Sequence, residues 1–314
     1  MYNSKTIISM KKILLSISAV TAMIAMTATF SACSSDDEQQ PTTFHLSINA
    51  SRGDYGGEDN SSTRAIALSN DKDKIITSWI TTDNVAVFNK DWTKIGTLHP
   101  DGNSFAESWK TKLTGDISTT NLKVSDELNF LYPRDTWDYT GQDGTFEKIS
   151  STYDYATAKV YVTDIDDNNK VYGTTAAFGD AQQTIVRFTL LKSDGTAFSV
   201  PNNGELSITT AKNELVTKCN LDGTAKEKGG ALVIKKTGAS DNVFYVAIRN
   251  DFGGADQYTL TIKDGAGNLY TYTKPDLTLQ RGHYKKVKIK MRFYDDTWTE
   301  RNEYVNESGE ETWE

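Results

Sequence analysis

Read from its residues alone, the chain predicts an all-β fold arranged as two consecutive β-sandwich domains. Three observations carry that prediction. Beyond residue 40, apolar residues alternate with polar ones at period two, and no helical period is sustained for more than a few residues. The alternating runs are short and are separated by turn signals such as Asp194-Gly195, Asp222-Gly223 and Asp264-Gly265, where glycine accepts a positive φ. Finally, 37% hydrophobic and 11% aromatic residues suffice for buried cores at this length.

The first element is Met10 to Cys33. Lys11 and Lys12 give a basic start, Ile13 to Phe30 an apolar run, and Phe30-Ser31-Ala32 small residues before a cysteine. This describes a secretory signal peptide over residues 1–32, with Met10 the more natural start. A membrane-spanning anchor is the alternative, since the run reaches the ~18 residues such a span needs. Five Ser and Thr within it weaken that reading. Phe30-Ser31-Ala32-Cys33 resembles the lipobox of bacterial lipoproteins, whose cysteine is acylated and becomes the mature N-terminus. The following SSDDE resembles the acidic tag that sends Bacteroidetes lipoproteins to the outer cell surface. These resemblances imply lipidation at Cys33, outer-membrane lipid as a partner and a surface location.

Removing a leader with three lysines and no acid takes the net charge from −8 to −11. A chain this acidic repels nucleic acid backbones and anionic lipid surfaces, so neither is expected as a partner. With Cys33 blocked, Cys219 has no intramolecular mate, which excludes a disulfide framework and reads as a small buried hydrophobe.

In FHLSINA, residues 44–50, Phe44, Leu46 and Ile48 share one face of a half-buried strand. Residues 51–63, SRGDYGGEDNSST, are polar and glycine-rich and read as a loop. Strand-like runs follow: IITSWI (75–80), NVAVF (84–88), TKIGTL (93–98), LNFLYP (128–133) and AKVYVT (158–163). A second series comprises TIVRFTLL (184–191), ELSITT (205–210), ALVIKK (231–236), VFYVAIR (243–249), QYTLTIK (257–263) and YKKVKIKMRF (284–293). The stretch with least pattern, Thr163 to Ala181, is the expected boundary, dividing domains at 65–170 and 171–294 ahead of an acidic tail at 295–314.

With the lipobox and this strand pattern in place, the chain resembles the Bacteroidetes fimbrillin family, the subunits of type V pili and their Mfa-like relatives. The stretches that carry the resemblance are WITTDNVAVF (79–88), LNFLYP (128–133), TIVRFTL (184–190), FYVAIR (244–249) and LQRGHYKKVKIKM (279–291). Their order and spacing carry it more than any one of them. The resemblance implies transthyretin-like sandwiches, secretion as a lipoprotein, other pilin subunits as partners, and maturation by a trypsin-like surface protease that cuts after an arginine.

Arg64, in SSTRAIAL, is the residue for such a cut, with Ala65 becoming the new N-terminus. It closes a polar loop, where proteolysis concentrates. Arg52 is the runner-up, and an ordinary loop arginine is the alternative. A cut after Arg64 would free residues 44–50 as a removable strand and open a groove for a strand from another subunit. Tyr284 to Phe293 alternates best as a donor, and equally reads as the last strand of its own domain. The tail at 295–314, with eight acids and few apolar residues, is a poor donor and favours a tip or accessory subunit over a stalk.

No enzyme signature is present. His45, His99 and His283 are far apart, no cysteine or histidine stands at zinc spacing, and no nucleophile elbow or phosphate loop occurs. No catalytic residue, metal or cofactor is therefore expected. Asp164 to Asn168 begins like a calcium loop but has Asn169 and Thr175 where Gly and Glu are needed, so it reads as a solvated turn. Arg52-Gly53-Asp54 spells an adhesion tripeptide that occurs often by chance. Trp92 and Trp137, on predicted loops, are the aromatics best placed to face a ligand, with hydrophobic lids as the alternative. Two functions follow: a structural and adhesive pilus subunit or, alternatively, a surface glycan-binding lipoprotein for polysaccharide capture.

Overall fold

The first strand sets the plan. β1 (Thr42–Arg52) buries Phe44, Leu46, Ile48, Ala50 and Arg52 on one face and turns His45 and Asn49 outward. The computed structural model describes residues 40–53, 67–69, 75–102, 109–179, 181–192, 194–238, 240–251, 253–264 and 267–291, with the backbone of 311–313. Next come β2 (Ala67–Leu68) and β3 (Ile75–Ile76), which pair with each other in a separate ladder. β4 (Val85–Phe88), β5 (Lys94–Pro100), β6 (Lys110–Thr119), β7 (Glu127–Tyr132), β8 (Ala156–Ile165), β9 (Lys170–Gly173) and β10 (Ala176–Phe178) then join β1 in one sheet.

That sheet runs β10-β1-β6-β5-β4-β7-β8-β9, and β1 also pairs with β9. The extra pairing closes it, so the N-terminal half is barrel-like where the sequence predicts a sandwich. Inside lie Leu46, Ile48, Val87, Leu98, Leu113, Phe130, Val160 and Val171, each at most 2% exposed. The stretch 163–181, where the sequence places the boundary, is not empty of strands. It holds the end of β8 and the whole of β9 and β10, and the first sheet continues to Phe178. These strands are short and each buries only Val171, or Ala176 and Phe178, too few apolar positions for an alternation to be visible.

β4 and β7 are buried on both faces. Val85 and Val87 face the barrel while Ala86 and Phe88 face a second cluster; Phe130 and Tyr132 divide from Leu131 in the same way. Strands covered on both sides read as continuous apolar runs, which is why NVAVF and LNFLYP hardly alternate.

The second half is built from β11 (Thr184–Leu191), β12 (Glu205–Thr210), β13 (Leu215–Cys219), β14 (Ala225–Lys228), β15 (Leu232–Lys235), β16 (Val243–Asn250), β17 (Asp256–Lys263), β18 (Leu269–Leu277), β19 (Tyr284–Lys290) and β20 (Glu311–Trp313). They form a six-stranded sheet, β14-β13-β16-β11-β19-β20, and a four-stranded sheet, β15-β12-β17-β18. Ile185, Phe188, Val246 and Val287 from the first sheet share one buried cluster with Leu206, Ile208, Leu260 and Ile262 from the second.

The connection between β7 and β8 reaches over to this second cluster. Its helical turn α1 (Phe146–Lys148), which runs on into a π-helical turn at Ile149–Tyr153, starts where the Thr145 hydroxyl accepts a hydrogen bond from Lys148 N. Tyr139 N donates to Thr217 O at 2.8 Å, and Cys219 N donates to Trp137 O at 2.9 Å. Gln142 acts as a surrogate strand residue: its Nε2 donates to Ala247 O and its Oε1 accepts from Ala247 N, both at 2.8 Å. The chain from Pro41 to Glu314 clusters as one unit. Among the described residues no helix is long and apolar enough to cross a membrane.

Candidate functional site

The candidate site is β1 and its seat. On one side β1 pairs antiparallel with β6, from Thr42↔Thr119 to Ser51↔Lys110. On the other it runs parallel to β9 through Leu46↔Val171 and to β10 through Arg52↔Phe178. Phe44, Leu46 and Ile48 are 8%, 2% and 1% exposed. Three large apolar side chains at this depth are roughly 5–9 kcal/mol of burial.

Inward parity continues to Arg52, which places a charge in the core. Its Nη2 donates to Asp154 Oδ2 at 2.6 Å, and the two side chains are 2% and 0% exposed. The guanidinium lies 4.1 Å from the centroid of Tyr132 and 5.8 Å from that of Trp79. Trp79 in turn meets Tyr132 and Phe178 edge-on at 5.6 and 5.5 Å. Neighbouring backbone bonds fix the end of the strand, Arg52 N to Trp109 O and Gly53 N to Phe178 O.

This geometry removes the runner-up cleavage site and agrees with reading the adhesion tripeptide as a chance occurrence. Arg52 cannot serve as the second cleavage arginine, because its side chain is ion-paired under aromatic rings and its backbone is bonded in the sheet. Nor is the arginine of Arg52-Gly53-Asp54 presented to a receptor. The sequence signal was available: positions 44, 46, 48, 50 and 52 share one parity, but the polar run from Ser51 hides the last of them.

Arg64 and Ala65 lie outside the described residues, as do Cys33 and the predicted leader. The described chain leaves the barrel at Gly53 and reappears at Ala67, where β2 pairs with β3. Leu68 and Ile75 pack on the second cluster, away from the barrel core that holds Phe44, Leu46 and Ile48. In sequence, Arg64 lies between β1 and β2, whose buried residues belong to different clusters.

Of the aromatic pair expected to face a ligand, Trp137 is buried and Trp92 is half-buried. Trp137 is 3% exposed, because the β7–β8 connection carries it into the second cluster. There it stacks on Tyr155 at 5.4 Å and its indole N–H donates to Tyr139 Oη at 3.0 Å. Trp92 has φ 59° in a turn closed by the Asn89 side chain, which accepts from Asp91 N and Thr93 N. That turn lays it, half-buried, against Phe88 at 5.7 Å and the second cluster. Both rings serve packing.

Other marked residues have structural uses. Asp166 Oδ1 accepts from Asn168 N and Lys170 N, making the acidic run a β8–β9 turn. Cys219 is 7% exposed and burial pushes its thiol up to about 11. The proposed donor is an integral strand: β19 pairs with β11 from Ile185↔Tyr284 to Leu191↔Lys290, with Val287 and Ile289 fully buried. Phe293 lies outside the described residues.

No protein-family model matches the chain, and no curated protein matches it. Among solved structures it is similar to a candidate cell adhesion protein of Bacteroides fragilis, with 12% identity and a TM-score of 0.42, over 81% of this chain and 99% of that one. It is similar also to a fimbrial assembly protein of Parabacteroides distasonis, with 13% identity and a TM-score of 0.33, over 79% and 90%. A shaft pilin of Lactobacillus rhamnosus GG is similar at 10% identity and a TM-score of 0.32, over 82% and 100%. The first two come from the bacterial group, and carry the kind of description, that the fimbrillin resemblance implies. Likenesses this distant carry no statement about what this chain does.

Proposed function

We propose that the chain is a surface lipoprotein of the fimbrillin type, a structural and adhesive pilus subunit anchored through an acylated Cys33. In this reading it comprises two consecutive all-β domains, the first barrel-like and the second a sandwich of the transthyretin-like kind, and a tip or accessory position suits it better than a stalk. A trypsin-like surface protease cuts between Arg64 and Ala65, after which β1 is exchanged for a strand of another subunit.

One observation carries the reading. β1 completes the closed sheet and buries its apolar face in the barrel core, whereas Leu68 of β2 packs on the second cluster. A single cut between them disconnects β1 without disturbing where β2 is held. Departure of β1 would expose the edges of β6, β9 and β10, and such edges are templates for another strand. The glycan-binding alternative is weakened by the burial of Trp137, which leaves half-buried Trp92 without the second ring of a platform.

Limited trypsin digestion of the folded chain, with mass spectrometry of the products, tests the proposal. The expected product begins at Ala65 and, once freed of residues 33–64, forms dimers or ladders. Resistance of Arg64 while other sites are cut, or a product that stays strictly monomeric after residues 33–64 have been removed from it, would reject it. N-terminal sequencing of the protein from the cell surface, and loss of membrane fractionation in Cys33→Ala, test the anchor separately.

A further inference from the structure

The five inward positions of β1 meet different surroundings. Phe44, Leu46 and Ile48 lie in the barrel core. Room for Ile48 comes from Gly173 of β9, where a Cβ would stand 3.0 Å from Ile48 Cδ1 and 2.7 Å from Val160 Cγ1. Ala50 is 2% exposed and is flanked in register by Thr111 and Ala176, so a larger side chain there would overpack a filled interior. At position 52 the surroundings turn acidic, because the Asp154 carboxylate receives the guanidinium under the Tyr132 ring. Asp154 belongs to the connection that leads into β8. Its neighbour Tyr155 is held there by Gln182 N, which donates to its carbonyl at 3.1 Å, and by Arg134 Nε, which donates to its hydroxyl at 2.8 Å. The carboxylate therefore stays with the seat when β1 leaves.

A carboxylate in such a place discriminates between occupants. A strand that covers it takes it out of water, which is costly for an ion unless a counter-charge arrives with the strand. Arginine or lysine brings that charge, and the Tyr132 ring adds attraction for a cation. A neutral or acidic residue does not supply what Arg52 supplies, and specificity of this kind works by penalising the wrong partner. We propose that the seat of β1 selects a strand that carries a cation four residues beyond its last large apolar residue, and that Asp154 sets this selectivity. The occupant is then an extended segment with large apolar residues at three alternate positions, a small residue at the next and arginine at the one after. It enters antiparallel to β6, as β1 does. This rests on the exchange of β1 proposed above and adds which strand can replace it.

The test follows entry of a labelled peptide of residues 42–52 into the full chain cut at Arg64, with mild denaturant to loosen the resident strand. The unchanged peptide is expected to enter, and its Arg52→Lys form to enter within about tenfold of it. The Arg52→Met form should enter about 100-fold more weakly. In a chain carrying Asp154→Asn, the methionine peptide is expected to enter at least as well as the arginine one. Equal entry of the arginine and methionine peptides into the unchanged chain overturns the selectivity and leaves exchange standing. Entry of no peptide rejects exchange and the selectivity with it. A preference for arginine that survives Asp154→Asn overturns the assignment to Asp154. If Arg64 resists the protease, hydrogen exchange on the uncut chain decides. There Arg52→Met should speed exchange of the β6 amides that face β1 by about 100-fold, and Arg52→Lys by no more than about tenfold. A methionine variant as well protected as the unchanged chain overturns the proposal.

Discussion

At the scale of single residues, the buried pair Arg52–Asp154 is the least expected feature. A charge that loses its partner in the core costs about 3–5 kcal/mol, whereas an apolar pair of similar volume can be neutral. Arg52→Met alone should therefore lower unfolding free energy by ~3–5 kcal/mol in urea titrations, and Arg52→Met with Asp154→Leu should recover most of that loss. Additive losses in the double variant would show that the two side chains act independently. Cys219 gives a chemical check. Its thiol is pushed up to about 11 by burial, and only the thiolate reacts. At pH 8 about one thiol in a thousand is ionised, so a disulfide reagent should leave Cys219 unmodified in the folded chain. Reactivity should rise with pH, because deprotonation is the step that burial opposes. Prompt labelling at pH 8 without denaturant would mean that the residue is open to solvent.

At the scale of elements, β1 and the β7–β8 connection do the positioning. Leu46→Ala should destabilise the barrel by about 2–5 kcal/mol, as expected for a truncated core leucine, and thermal or urea unfolding measures it. Gln142 holds the connection onto β16 by bonding both backbone groups of Ala247. Gln142→Met keeps the volume and removes both of these bonds and a third, from Nε2 to Tyr139 O, at about 1–3 kcal/mol for each buried group left unmet. Faster hydrogen exchange at Ala247 N, with the amides of Phe130 and Leu131 unchanged, is the expected pattern. Uniform change across both halves would show that the connection is not a local clamp.

For the whole molecule, burial and pairing set how β1 behaves after a cut. A nick at Arg64 breaks one peptide bond and none of the contacts that hold Phe44, Leu46, Ile48 and Arg52. With roughly 5–9 kcal/mol of apolar burial and the Asp154 ion pair retained, the cleaved segment should co-elute with the remainder on size exclusion in native buffer. Its release is expected only when another strand takes its place or denaturant is added. Spontaneous loss of the segment from freshly cut protein would contradict this account of the seat.

The sequence by itself determined that the chain is all-β, that Phe44, Leu46 and Ile48 lie on one face, and where most long strands run. Period-two alternation is local, so it is visible in a single chain whenever one face meets solvent and the other a core. It also marked FHLSINA as a strand, although the polar residues from Ser51 onward hid that Arg52 continues it. Tertiary structure decided the rest. β6, β9 and β10 all pair with β1, a partner remote in sequence, and their own apolar content is too thin to announce them. Closure of the first sheet depends on the β1–β9 pairing, which no local pattern encodes. Trp137 reads as a loop aromatic because nothing nearby in sequence reveals that its loop folds under the second sheet pair. Burial is a property of what comes to cover a residue, and that cover is supplied by distant chain.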